Sequence, residues 1–145
     1  CVVSAGIRAM QGWPMDPGMA RAGAELGLAL GGHEARQVTG RMIANTAAVV
    51  VFGPEHRAWM RQEFPEHMGR VLAIGQVARG LGMLPRNRRL PLTQVVEAVT
   101  SGAPRIVDTD WIEDPYGYDD RVKMICAKRI LAAVDILATR VDWGD

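Results

Sequence analysis

The sequence has little cysteine, few aromatic residues, almost no net charge and no long apolar run. Its 2 cysteines lie at opposite ends of the chain and form neither a disulfide framework nor a cysteine-based zinc site, so we expect a reducing, cytoplasmic setting. Every apolar run is shorter than the ~18 residues of a membrane span, which argues against membrane insertion. The 17 Lys and Arg residues nearly balance the 16 Asp and Glu residues, which argues against a general nucleic-acid binder.

A chain of 145 residues with 48% apolar content is long enough for one packed domain and too short for two, so we predict a single domain over residues 1–145. Apolar runs predict strands at Val2–Ala5, Ala47–Phe52 and Arg70–Ile74, and a short edge strand at Ile106–Asp108. The first three runs lack polar alternation, so both faces of these strands should be covered, as in a parallel sheet. Helices are predicted at Pro17–Leu30, Thr39–Asn45, Pro54–Phe64, Leu92–Thr100 and Asp119–Val141. This alternation predicts an α/β fold.

The loop before the last helix holds the best candidate for chemistry. Asp114 precedes Pro115, which forces it into an extended backbone, and Tyr116 follows. A carboxyl group presented beside an aromatic ring suits a general acid, although Asp-Pro and Tyr-Gly pairs are also common in plain turns. No pair of histidines has metal-ligand spacing and no Gly-rich phosphate loop is present, so neither a metal nor another cofactor is expected.

Four segments, in this order, resemble the low-molecular-weight protein-tyrosine phosphatase family. They are Val3–Gly6, Pro14–Pro17, the His-Glu-Ala-Arg-Gln-Val-Thr segment His33–Thr39, and Ile112–Tyr116. Each motif is weak alone, but together they are ordered and spaced as in the family. The resemblance covers nearly the whole chain except an insertion at about residues 80–108.

The resemblance implies a three-layer sandwich around a mostly parallel, roughly four-stranded sheet. It also implies hydrolysis of phosphotyrosine in proteins through a cysteinyl-phosphate, with the thiolate in a Cys-x5-Arg loop after the first strand. Asp114 would be the general acid and Tyr116 would contact the substrate ring. Ser4 and His33 would support the phosphate loop from behind by hydrogen bonds.

The sequence departs from the family most clearly at the nucleophile. Six residues separate Cys1 from Arg8, so the Cys-x5-Arg loop is absent. We therefore expect that the first, central strand and its loop precede residue 1. The loss of that strand would expose two sheet edges and allow self-association. At the rim of the site, Met10 stands where the family often has an aromatic residue, and Trp13 follows three residues later. The resemblance makes both substrate-binding candidates: either Trp13 takes the role of that aromatic residue, or the substrate preference differs.

Two other readings stay open. The chain is alternatively a non-catalytic binding or regulatory module, whose contact surface would be the basic stretch Arg86–Arg89; a solvated loop explains these arginines equally well. Arsenate reduction uses the same scaffold with added cysteines, but Cys126 lies within the last helix, a poor position for a resolving thiol.

Overall fold

The computed structural model describes residues 1–144. Its helices are α1 (Pro17–Glu25), α2 (Gly40–Ala44), α3 (Pro54–Glu63), α4 (Ile74–Gly82), α5 (Val95–Gly102) and α6 (Asp120–Arg140). Its strands are β1 (Val49–Val51), β2 (Val71–Ala73), β3 (Leu90–Pro91) and β4 (Val141–Asp142). Short 3-10 turns cover Pro65–Arg70, Leu92–Gln94 and Asp108–Asp110. No helix in residues 1–144 is long and apolar enough to cross a membrane.

The strands pair in parallel, which confirms the α/β class. Val50 of β1 lies opposite Leu72 of β2, and Leu90 of β3 lies opposite Val141 of β4. The expectation of one sheet of roughly four strands is corrected, because the described strands form two separate two-stranded sheets. The crossover from β1 to β2 runs through α3, as parallel pairing requires.

The predicted strand Val2–Ala5 is wrong. The segment has no regular structure, and Val2 is 75% exposed and Val3 58% exposed. An apolar run becomes a strand when a neighbouring strand supplies backbone partners, and in residues 1–144 the first such contact is the parallel bridge from Gly6 to Gln37.

Two predicted elements end earlier than expected, and a third is replaced by a turn. Helix α1 ends at Glu25 because Gly27 adopts a φ of 79° and the Leu28 N–H turns back to the carbonyl of Gly23. Strand β2 ends at Ala73, where α4 begins at once. The predicted edge strand at Ile106–Asp108 is replaced by the 3-10 turn Asp108–Asp110.

Two apolar clusters flank the β1–β2 sheet, and a third lies under the loop before α6. One joins β2, α4 and α5 to the β3–β4 pair and is built from Leu72, Val77, Leu81, Leu90, Val95, Val99 and Val141. The second lies between α2, α3 and the sheet and is built from Ile43, Val51, Met60 and Val71. The third is built from Ile74, Ile112, Cys126 and Ala133, and it places the start of that loop against α6.

Candidate active site

The loop carrying Asp114 starts at the carboxyl end of β1. The backbone N–H of Ile112 donates to the carbonyl of Phe52, one residue beyond β1, at 2.9 Å. The Ile112 side chain is buried in the cluster against α6. The carboxyl ends of parallel strands are where open α/β sheets place their ligands, so the loop lies at the expected edge.

The Asp114 carboxylate is presented from a tight turn. Its Oδ1 accepts from the Tyr116 N–H at 3.0 Å, and the Tyr118 N–H donates to the carbonyl of Pro115 at 3.1 Å. Gly117 has a φ of 82°, which a residue with a side chain adopts only with strain. The residue Asp114 is exposed, and its Oδ2 has no hydrogen-bond partner within residues 1–144.

A side-chain hydrogen bond closes this turn. The Tyr118 hydroxyl donates to Oε1 of Glu113 at 2.9 Å. This hydrogen bond and the charge of Glu113 raise the pKa of Tyr118, so the phenol stays protonated and keeps donating. The two residues bracket Asp114 and Tyr116, so the contact fixes the loop that presents both.

Cys126 lies directly behind the loop but lacks the properties of a nucleophile. Its Sγ is 3.8 Å from the carbonyl oxygen of Glu113, and the residue is buried within α6. Burial raises the pKa of the Cys126 thiol, the charge of Asp114 adds to this, and Arg129 opposes it. Attack on phosphorus needs a thiolate, and this site favours the neutral thiol.

The segment His33–Thr39 holds the loop Gly6–Trp13 by backbone bonds. The Gly6 N–H donates to Arg36 O at 2.8 Å, the Val38 N–H to Gly6 O at 3.0 Å, and the Ala35 N–H to Trp13 O at 2.8 Å. Two of the four motif segments, Val3–Gly6 and His33–Thr39, are therefore in direct contact through Gly6.

Gln37 organises this loop, a role that the sequence reasoning missed. Its Oε1 accepts from the Ala9 N–H at 3.0 Å, and its Nε2 donates to the carbonyl of Ile7 at 2.9 Å. The sequence could have indicated this role, because Gln37 belongs to the motif segment His33–Thr39. The resemblance assigns a role only to His33 in that segment.

Two ion pairs attach the loop Gly6–Trp13, through α1, to the start of α6. Lys123 Nζ is 3.0 Å from Oδ2 of Asp16, the N-cap of α1, and Arg21 pairs with Asp120 at 3.2 Å. The hydrogen bond from Lys123 lowers the pKa of Asp16, as does the N-cap bond from Met19, so this carboxylate is ionised at neutral pH. Since the Asp114 loop leads into α6, these pairs place both loops toward the same end of that helix.

The sequence-predicted site residues are all exposed but are only partly brought together. Asp114 and Tyr116 share one turn, and Trp13 and Met10 share the other loop, where the Trp13 N–H donates to Met10 O. Ser4 and His33 are exposed, and within residues 1–144 neither side chain has a hydrogen-bond partner. No group of three or more His, Cys, Asp or Glu residues in this part of the chain could hold a metal ion.

Sequence comparison finds relatives among phosphatases, although no family model matches. A probable low molecular weight protein-tyrosine-phosphatase EpsP of Ralstonia solanacearum is 30% identical over 76 residues, 52% of this chain and 52% of that protein. An EpsP of Ralstonia nicotianae is 26% identical over 110 residues, 72% of this chain and 76% of that protein. The chain thus matches about half the length of the first relative.

Structure comparison finds the same fold in solved phosphatases. The Erwinia amylovora tyrosine phosphatase AmsI superposes with a TM-score of 0.65 at 18% identity, covering 92% of this chain and 70% of that one. Vibrio vulnificus Wzb, solved with benzylphosphonate, gives 0.65 at 21% identity, covering 92% and 75%. The YwlE arginine phosphatase of Geobacillus stearothermophilus gives 0.67 at 19% identity, covering 94% and 70%.

These matches show the fold of the chain and the proteins that it resembles. The chain has the fold of the low molecular weight phosphatases and is similar in sequence to two proteins named as probable tyrosine phosphatases. The resemblance carried by its four motifs is confirmed.

Proposed function

We propose that this chain is the acid-bearing part of a phosphatase that hydrolyses phosphotyrosine in proteins, with Asp114 as general acid. The single observation that carries the proposal is the presentation of Asp114. Its turn is anchored to the end of β1 through Ile112 and closed by Tyr118 and Glu113. The phosphatase names of its relatives support the same reaction class.

The proposed reaction has two steps. A cysteine thiolate attacks phosphorus, the bond from phosphorus to the phenolic oxygen breaks, and Asp114 delivers the proton on Oδ2 to the leaving oxygen. The Asp114 carboxylate then takes a proton from a water molecule that attacks the phosphocysteine. This second attack releases phosphate and regenerates the thiolate, so no redox partner is needed.

The thiolate is proposed to come from outside these 145 residues. Cys126 is buried with a raised pKa, and Cys1 has no arginine at the spacing of a phosphate loop. In the proposal, the contributed Cys-x5-Arg loop contacts Ser4 and His33, whose side chains are free to donate hydrogen bonds. A reduced cytoplasmic setting would keep that thiolate active.

A phosphotyrosine substrate is favoured over phosphoarginine by the exposed aromatic residues. Tyr116 is 67% exposed and Trp13 is 60% exposed, and Met10 is accessible beside Trp13. Aromatic side chains pack well against a phenyl ring. The relatives include both classes by name, since the EpsP proteins are named tyrosine phosphatases and YwlE is an arginine phosphatase.

The test fuses this chain to a segment that carries the proposed nucleophile. The 145 residues alone should show no hydrolysis of phenyl phosphate above background. Fusion at residue 1 to a strand–loop–helix segment bearing Cys-x5-Arg, taken from a related phosphatase, should restore hydrolysis. In that fusion, Asp114→Asn should lower kcat by about 10²–10⁴-fold, the usual contribution of a general acid. The loss should be smaller with p-nitrophenyl phosphate, whose leaving group needs less protonation.

Asp108→Asn is the matched control, because Asp108 is exposed and its side chain has no hydrogen-bond partner within residues 1–144. A fusion that is active but insensitive to Asp114→Asn would remove Asp114 from its role. A folded fusion that does not hydrolyse either ester would favour the non-catalytic module instead.

A further inference from the structure

A turn with three arginines stands out at the far end of α4. The basic turn, Pro85–Arg89, is closed by the Arg88 N–H, which donates to the carbonyl of Pro85 at 3.0 Å. Arg86, Arg88 and Arg89 are exposed, and within residues 1–144 their guanidinium groups have neither a hydrogen-bond nor an ion-pair partner. Three adjacent, uncompensated cations in a chain of net charge +1 make this a local positive surface.

A second strand brings another cation toward the basic turn. Leu90 of β3 pairs with Val141 of β4 in parallel register. Arg89 and Arg140 each precede these paired residues, so their backbones enter the sheet side by side. Arg140 itself is half-buried and its Nη1 donates to the Thr139 hydroxyl at 3.0 Å, so the exposed positive charge of this surface comes from the basic turn.

A groove of about 450 Å³, the α4–α5 groove, adjoins the basic turn. It forms where the two helices cross with glycines in contact, since a Cβ on Gly102 would lie 3.0 Å from the carbonyl oxygen of Gly80. Its lining includes Met83, Arg88, Gln94, Glu97 and Ser101. Met83 is 71% exposed, so an apolar contact is offered beside the charges.

We propose that the basic turn and the α4–α5 groove together bind an extended acidic segment of another polypeptide. Arginine is suited to this because its planar guanidinium forms paired hydrogen bonds with a carboxylate. The exposed thioether of Met83 takes an apolar side chain of the same segment.

The polar face of α5 favours a polypeptide over a nucleic acid. Gln94, Glu97 and Ser101 fall on one side of the helix, and their oxygens accept hydrogen bonds from backbone N–H groups. A polypeptide supplies such donors along its length, whereas a phosphodiester backbone does not.

This surface is separate from the candidate active site. Helix α4 starts directly after β2, at the sheet edge that carries the Asp114 loop, and its nine residues place the basic turn about 14 Å further along its axis. The basic turn thus lies outside the proposed active site.

The test measures binding directly, by fluorescence anisotropy with a labelled peptide of alternating Glu and Ser that has one central Leu. The wild-type chain should bind it at low salt, weaken steeply as salt rises, and fail to bind the version with Lys in place of Glu. The triple variant Arg86→Gln, Arg88→Gln, Arg89→Gln should weaken binding by about tenfold, as expected for the loss of three exposed ion pairs.

The matched control is Arg41→Gln, Arg61→Gln, Arg121→Gln, which removes the same charge. These arginines are exposed and their side chains have no partner in the part of the chain that the structure describes. The control should change binding by less than about twofold. Equal weakening by the two triple variants would overturn the site, because binding would then follow net charge alone.

A second variant tests the groove without touching charge. Met83→Ser should weaken binding of the Leu-containing peptide and leave a Leu-free peptide unaffected, and an equal effect on both would contradict the role of the groove. Absence of acidic-peptide binding at low salt, or tighter binding of a DNA oligonucleotide of the same charge, would overturn the proposal.

Discussion

Asp110 carries a charge at a position that is 1% exposed, and its partners explain why this is tolerated. Arg79 donates from Nε to Oδ1 and from Nη2 to Oδ2, both at 2.8 Å, and the Val107 N–H donates to Oδ2 at 2.8 Å. Burial alone would raise the pKa of Asp110, but these hydrogen bonds and the charge of Arg79 outweigh burial and hold the pKa below its usual 3.8. The pair fixes the 3-10 turn that leads into the Asp114 loop.

Removing this carboxylate should be costly. Asp110→Asn leaves Arg79, whose side chain is 42% exposed, without its ionic partner, so we expect the free energy of unfolding at pH 7 to fall by about 1–3 kcal/mol. Because the folded-state pKa lies below the unfolded one, the wild-type contribution is complete above about pH 5 and is lost as pH falls further. Urea unfolding should therefore show the difference between wild type and variant shrinking in acid.

Asp120→Asn serves as the control for Asp110→Asn. Asp120 also pairs with an arginine, Arg21, but its side chain is 71% exposed. Its loss should cost at most about 1 kcal/mol, because exposed ion pairs and helix-terminal charges contribute little. Equal losses for the two variants would contradict a special role for burial at Asp110.

The start of helix α4 could not be predicted from the sequence pattern. The run Arg70–Ile74 has the composition of a strand, yet the backbone turns helical at Ile74, where the buried Gln76 side chain accepts from the Ala73 N–H at 3.2 Å. The Gln76 side chain is held in place by a second hydrogen bond, from its Nε2 to the carbonyl oxygen of Ala103 at 2.9 Å. The cap of α4 therefore depends on a residue 27 positions further along the chain. The sequence predicts helices α3 and α6 to within one residue at each end because proline or aspartate begins them locally.

Two glycines of α4 make a matched test of the packing around it. A Cβ at Gly75 would overlap the backbone of Asp110, which cannot move easily because its side chain is held by Arg79. Gly75→Ala should therefore destabilise the fold by about 1–3 kcal/mol, as overpacking does. Thermal unfolding followed by circular dichroism measures this directly.

Gly82, in the last turn of the same helix, faces open space where an added methyl group would stand. Gly82→Ala should be neutral or should stabilise the protein by up to about 1 kcal/mol, since alanine favours the helix. Destabilisation by Gly82→Ala of the size expected for Gly75→Ala would contradict the role of the Asp110 contact, because Gly82 has no such neighbour.

At the scale of the whole molecule, local motifs predict class and order better than they predict pairing. The four motif segments carry the phosphatase resemblance, and Asp114 and Tyr116 occupy the loop that the sequence assigns to them. The Val2–Ala5 strand fails because pairing is a long-range property that a run of four residues does not encode. For the same reason, the roles of Ser4 and His33 stay predictions.

The unpaired edge of β1 should have a measurable consequence. In residues 1–144, β1 pairs with β2 on one side and with no strand on the other, while Val2 and Val3 are exposed on a segment without regular structure. Open edges and extended apolar segments pair between copies. We expect sedimentation velocity to show concentration-dependent association of this chain, and Val2→Lys, Val3→Lys to reduce it by charging the segment.

The control Ile125→Lys, Val134→Lys adds the same charge at exposed apolar positions of α6 and should leave association largely intact. If it suppresses association equally, repulsion between copies rather than strand pairing is the cause; if the wild-type chain stays monomeric throughout, the β1 edge is not a site of association.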